Sequence, residues 1–285
     1  MNVTVWAPAK INLTLDVVGR REDGYHLLES IMQAVDIADT LTAQRAADVT
    51  LDTAALCPVE KNTAYRAACA FFAHTGIAGG VHMTLTKRIP QQAGMGGGSA
   101  DAAATLWALD RLYDTHLSAE ELCAIGLTVG ADVPFCVMGG AAYVTGIGEG
   151  LRPLPSLPDC HIVIAQPSDG VSTAAAYAAI DKASVSCHPD HTAALAAMER
   201  GDLAAVCRRV YNVFEPATAI SGVALIRREM ERFAPLASQM TGSGSAVFAI
   251  FEEERAALAC RDALAAVVPT AFVCHPCGGC RITSV

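Results

Sequence analysis

Apolar and polar positions alternate from the start of the chain, with Val3 and Val5 and then Ile11, Leu13 and Leu15 on one side. Residues 3–17 therefore predict a strand. Shorter runs of the same kind predict strands at 40–42 with 49–51, and at 81–86. Apolar positions at helical spacing predict helices over 63–74, 99–113 and 118–127. The last opens on Ser118 with Glu121 three residues on, a capping-box pattern. Further along, 161–166 predicts a strand, followed by helices at 173–179, 192–200, 203–210 and 220–233. A strand at 246–251, a helix at 253–267 and a strand at 271–275 close the pattern. Strands and helices that do not strictly alternate predict an α+β protein of two layers rather than a doubly wound parallel sheet. Pro153, Pro155 and Pro158, just after the glycine-rich stretch 146–150, mark the best boundary between domains at 1–157 and 158–285.

With 285 residues, 52% of them hydrophobic and only 17% charged, the chain can bury a sizeable core and is not a disordered one. The positive mean hydropathy raises the question of a membrane span. Its best candidate, between Asp132 and Glu149, holds Pro134 and four glycines and is shorter than the ~20 residues a span needs. No basic segment followed by an apolar one opens the chain, so the expectation is a cytoplasmic protein without a membrane partner. The 11 cysteines are scattered through apolar segments and predict buried free thiols. The cluster Cys274-His275-Pro276-Cys277-Gly278-Gly279-Cys280 has no second half that would complete a zinc site. A net charge of −9 argues against a nucleic-acid partner, so any anion must be bound by local backbone donors and a few placed cations.

One segment has the makings of such a site. Pro90-Gln91-Gln92-Ala93-Gly94-Met95-Gly96-Gly97-Gly98-Ser99 follows a predicted strand and opens a predicted helix, with four glycines in five positions and Ser99 expected as the cap. Backbone amides without a Cβ in the way, at the positive end of a helix, suit a di- or triphosphate. A Walker loop is excluded, because Gly98 is followed by Ser99 and Ala100 rather than by lysine. A dinucleotide fingerprint from Gly94 would need glycine where Ser99 stands. The His-Arg-Asp and Asp-Phe-Gly triplets of protein kinases are missing too.

Two further stretches flank this loop in order, Pro8-Ala9-Lys10-Ile11-Asn12-Leu13 before it and Thr241-Gly242-Ser243-Gly244-Ser245-Ala246 after it. Together the three resemble the motifs of the GHMP kinases, the superfamily of galactose, homoserine, mevalonate and phosphomevalonate kinases. Gly19-Arg20-Arg21-Glu22-Asp23-Gly24-Tyr25-His26 and Gly126-Leu127-Thr128-Val129-Gly130-Ala131-Asp132-Val133-Pro134 sharpen the likeness. They resemble the members acting on a cytidine diphosphate-linked methylerythritol in the non-mevalonate isoprenoid pathway. The resemblance implies an N-terminal domain like ribosomal protein S5 domain 2, a ferredoxin-like C-terminal domain, and a cleft between them. It also implies phosphoryl transfer from ATP, with Mg²⁺, to an alcohol.

By that resemblance Asp132 is the catalytic base, with Lys10 beside it. From the sequence alone Asp132 is also a plain helix cap, with Pro134 in the first turn. Lys10, on an apolar strand, needs an anion facing it: Asp132, the acceptor oxygen or the γ-phosphate. Asn12 shares its face. The resemblance assigns Tyr25 and His26 to the cytidine end of the substrate, and Tyr177 to a second stacking position, where core packing is the alternative. Asn62 falls near the adenine, the loop from Pro90 to Ser99 on the phosphates, and Thr241 and Gly242 on the substrate. No second carboxylate for magnesium stands out, so the metal is expected on ATP phosphates and water. The rivals are a kinase of this superfamily for another small alcohol and a nucleotide-binding sensor without catalysis. A monomer and a homodimer are equally compatible with the sequence.

Overall fold

The computed structural model describes residues 1–54, 57–183 and 185–284. Two long antiparallel strands, β1 (Asn2–Arg20) and β2 (His26–Ala46), form its backbone. β1 alternates at Val3 and Val5 but is buried on both faces from Ala7 to Asp16, because helices cover one face and the second half of the chain the other. The register shifts after Pro8, Asn12 and Val17, so bulges re-aim the side chains of the central stretch.

Strand β3 (Thr50–Asp52) and helix α1 (Thr63–Thr75) follow, the latter capped by the Asn62 side chain accepting from the Ala64 amide. Then come β4 (Gly80–Thr86), α2 (Gly97–Tyr113), α3 (Ala119–Leu127) and α4 (Val133–Met138). The Ser118–Glu121 capping box at the start of α3 is present in full. Helix α2 carries a run of alanines that lets it lie close against β1 and β2.

The glycine-rich stretch 146–150 is the turn of a hairpin, β5 (Ala141–Gly146) and β6 (Gly150–Leu154). Pro153 fits there because β6 pairs with β5 alone and is an edge strand. β2 is also far longer than its apolar pattern predicts. Ser30, Gln33 and Asp39 interrupt the alternation yet are buried, each held by hydrogen bonds.

The second half adds β7 (His161–Gln166), α5 (Thr173–Lys182), α6 (His191–Arg200), α7 (Leu203–Cys207), β8 (Tyr211–Asn212) and α8 (Phe214–Thr218). It ends with α9 (Ser221–Glu231), β9 (Ala237–Met240), β10 (Val247–Phe251), α10 (Glu254–Ala265), β11 (Thr270–Cys274) and β12 (Arg281–Ser284). Strands β7, β9, β10 and β11 form an antiparallel sheet in the order β11-β7-β10-β9, the βαββαβ arrangement of a ferredoxin-like lobe. Strands β8 and β12 leave that lobe and pair with β1 in the large sheet.

Alternate residues of the small sheet serve two cores. Val163, Val247 and Ala249 face α9 and α10, whereas Ile162, Ile164, Phe248 and Ile250 join the core of the large sheet. The cleft between the lobes thus has a continuously packed floor. Among the described residues no helix is long and apolar enough to cross a membrane.

Candidate active site

The phosphate-loop candidate leaves β4, crosses beneath the small lobe and enters α2. Gly94 (φ +74°) and Gly96 (φ +71°) both hold the left-handed conformation that glycine adopts at no steric cost. Contacts demand glycine there as well: a Cβ on Gly94 would lie 2.2 Å from the Thr241 carbonyl oxygen, and one on Gly96 3.1 Å from Lys10 Cγ. Gly96, not Ser99, occupies the cap position of α2, and no side chain caps that helix. The helix starts two residues earlier than its apolar pattern predicts. The amides of Gly97, Gly98 and Ser99 precede the first intrahelical bond, from the Ala100 amide to Gly96, an arrangement suited to an anion. Thr63 Oγ1 donates to the Gly98 carbonyl at 2.6 Å and ties α1 to the loop.

Lys10 stands on β1 directly behind Gly96. It is 3% exposed, so its charge needs compensation. Its Nζ donates to Asn12 Oδ1 at 2.8 Å and to the Gly94 carbonyl at 3.0 Å, and lies 3.4 Å from Asp132 Oδ2. Asn12 is fixed in turn: its Nδ2 donates to Ser30 Oγ at 2.8 Å and its backbone amide to Thr241 Oγ1 at 2.9 Å. Asp132 occupies the cap position of α4, with Pro134 in the first turn, but its side chain makes no capping bond and reaches Lys10 instead. The turn between β5 and β6 backs it: a Cβ on Gly148 (φ +127°) would lie 2.3 Å from the Ala131 carbonyl oxygen. Burial, reinforced by Asp132, pushes the neighbouring Cys136 thiol well up, so no thiolate competes for this chemistry.

A second charged group lies at the α2 end of the same loop. Lys87 bonds Asp39 and, at 2.5 Å, Asp101 Oδ2. Asp39 Oδ1 accepts the amides of Arg88 and Ile89. Asp101 Oδ1 is buried without a partner. Burial pushes the Asp101 carboxyl up to about 7, against the pull of Lys87 and with a further push from Asp39. An unfolded aspartate titrates near ~3.9, so the folded chain binds this proton more tightly. The resulting stability is complete below pH ~4 and is lost as pH rises towards 7. Thermal melts of Asp101→Asn should therefore show a Tm gain over the parent that grows between about pH 5 and about pH 8. A difference independent of pH would contradict this reading.

At the far end of the cleft Tyr25 is 61% exposed, whereas His26 is mostly covered. The His26 ring stacks on Tyr177 at 4.6 Å between centroids, and its Nε2 meets Asp181 Oδ1 at 2.7 Å. Tyr177 thus stacks on His26 and makes a T-shaped contact with Phe214 while still lining the cleft. Burial, with Asp132 nearby, pushes its hydroxyl up to about 12.

A cleft of about 1200 Å³ joins these parts and is lined by every predicted site residue except Thr241. Thr241 is fully buried beneath it and acts on Asn12 from behind. Asn62 lines the cleft with its side chain committed to capping α1. The sequence reading gave no role to Lys87, Asp39, Asp101 or Asp181. A lysine just before the glycine loop and one carboxylate in the alanine run 100–104 were signals available for the first and third. Asp39 and Asp181 meet their partners across 48 and 155 residues, which no local pattern encodes.

Residues 62–140 match the GHMP kinases N terminal domain and residues 194–270 the GHMP kinases C terminal. The 4-diphosphocytidyl-2-C-methyl-D-erythritol kinase of Shouchella clausii is 43% identical over 89% of this chain and 87% of its own length. The enzyme of the same name from Geobacillus kaustophilus is 42% identical over 89% of this chain and 90% of its own. A crystal structure of 4-(cytidine 5'-diphospho)-2C-methyl-D-erythritol kinase superposes with a TM-score of 0.82 at 35% identity, covering 97% of this chain and 100% of that one. Homoserine kinase from Cytophaga hutchinsonii shares the fold, with a TM-score of 0.75 at 19% identity over 99% of this chain and 97% of its own.

Proposed function

The chain belongs to the GHMP kinase family, and from that premise we propose that it transfers the γ-phosphoryl group of ATP to the 2-hydroxyl of 4-diphosphocytidyl-2-C-methyl-D-erythritol. One observation carries the catalytic reading. Lys10 Nζ lies between the Asp132 carboxylate and the Gly94 carbonyl of the glycine loop. In this reading the amides of Gly97, Gly98 and Ser99 hold the phosphates, and Asn62 lies towards the adenine. Asp132 takes the proton of the acceptor hydroxyl as its oxygen bonds to the γ-phosphorus and the bond to ADP breaks. Lys10 keeps the Asp132 carboxylate aimed and offsets the charge that develops on the transferred group.

Mg²⁺ belongs to the same proposal. When bound it would neutralise phosphate charge, held mainly by phosphate oxygens and water. From this chain the unpartnered Asp101 oxygen would be a suitable hard donor. Residues 1–157 form the lobe bearing the phosphate loop and base, residues 158–285 the lobe that faces it, and the enzyme works in the cytoplasm.

The substrate choice rests on the relatives and on the aromatic end of the cleft. Tyr25, open to solvent beside His26, supplies a face for a nucleobase, which mevalonate, homoserine and galactose lack. The test is phosphorylation of a panel of these four acceptors with ATP and Mg²⁺. Turnover of the cytidylated acceptor is expected to exceed the others by ~10³-fold or more in kcat/KM, since the others leave that end of the site unpaired. Turnover of mevalonate or homoserine alone would overturn the substrate assignment, and no turnover at all would overturn the enzyme assignment.

A further inference from the structure

We propose that Asp181 fixes the tautomer of His26 and thereby makes the cleft select cytosine over uracil. This rests on the reading of Tyr25 and His26 as the nucleobase end of the site. Asp181 sits on α5 and His26 at the start of β2, so the contact spans the cleft from one lobe to the other. The hydrogen bond from His26 Nε2 to Asp181 Oδ1 is 2.7 Å long, and Arg20 Nη1 lies 3.6 Å from the second carboxylate oxygen. That hydrogen bond, more than any other influence, holds the Asp181 carboxyl below its usual range, so it is ionised and can only accept. Nε2 must then carry the proton. In the neutral ring this leaves Nδ1 with a lone pair, and Nδ1 has no hydrogen-bond partner among the described residues. Stacking on Tyr177 holds the ring plane, so the direction of that lone pair is set.

On the pairing edge the two bases differ at N3, an acceptor in cytosine and an N–H donor in uracil, and at C4; His26 Nδ1 would read the C4 position, where cytosine carries an amino donor and uracil a carbonyl acceptor. An acceptor at His26 Nδ1 pairs with the first and meets the second lone pair to lone pair. Specificity then comes from repulsion as well as attraction. Asp181 touches neither base nor phosphate in this scheme; it is a positioning residue.

Asp181→Asn is the informative variant, because an asparagine amide can donate to Nε2 and so allow the proton to sit on Nδ1. The residue is 39% exposed in its side chain, and the fold should tolerate the change. Long-range ¹H–¹⁵N spectra of the full chain should show His26 with the proton on Nε2 in the parent, and a shift towards Nδ1 in the variant. Titration with cytidine 5'-diphosphate and uridine 5'-diphosphate should show a preference for cytidine of ~10-fold or more in the parent, falling to within ~3-fold in the variant. With the cytidylated acceptor the loss should appear in KM and leave kcat within about twofold. An Nδ1 proton in the parent, or a preference unchanged by Asp181→Asn, would overturn the proposal. Failure of the parent to phosphorylate any acceptor would instead sink the functional reading, and the two diphosphate titrations would still decide the role of Asp181.

Discussion

Asp132→Asn is expected to lower kcat by ~10²–10⁴ in a variant that still folds, with little change in KM for ATP. The expectation follows from what the side chain does not do. A capping aspartate would hold the first turn of α4, and its loss would cost about 1 kcal/mol of stability. Asp132 makes no such bond and is 34% exposed, so an isosteric amide removes the base and leaves the helix intact. Lys10 keeps its bonds to Asn12 and to the Gly94 carbonyl in the variant. Single-turnover and steady-state kinetics, with a melt on the same preparation, are sufficient. A loss under tenfold in a stable variant would remove Asp132 from the chemistry.

Gly94→Ala should be as damaging by a different route. The alanine must hold φ near +74°, which costs about 1–2 kcal/mol for a residue with a Cβ. Its methyl would also sit 2.2 Å from the Thr241 carbonyl oxygen, so the two backbones have to separate. They are joined there by the bonds from the Ser245 and Ala246 amides to Gln92 and Ala93, and the Gly94 carbonyl is a partner of Lys10. Separation therefore loosens the inter-lobe seam, the phosphate loop and the lysine together. A fall in kcat/KM of ~10²-fold or more is expected, with a Tm lower by several degrees. Gly201→Ala is the control: its φ is +63° but nothing lies within 4 Å of a Cβ, so only a small stability loss and no kinetic effect should follow. Activity of Gly94→Ala within threefold of the parent would refute the close-contact argument.

The residues that carry this site differ in how far the sequence announces them. The glycine loop is legible because its demand is local. Glycines without a Cβ and a helix behind them are written in consecutive positions, and the structure displaces only the cap, from Ser99 to Gly96. Lys10 is legible as a problem, a charge on a buried strand, but the sequence leaves three candidate anions for it. Asp132 meets it only because β1 and the start of α4 pack together. The hairpin at 141–154 is hidden by its glycines and Pro153, which punctuate an edge strand as readily as a boundary.

By itself the sequence determined the two-layer α+β class, most helices and strands, the Ser118 cap, and the order of the Lys10 motif and two glycine-bearing motifs with Asp132 between the latter. These follow from periodicity and from residue types with few alternative uses. Tertiary structure alone decided the partner of Lys10, the role of Thr241 behind Asn12, the Lys87–Asp39–Asp101 group and the His26–Asp181 contact. It also returned β8 and β12 to the large sheet. Each joins residues far apart in the chain, and such contacts are set by packing and by the compensation of buried charge, which no window of sequence contains.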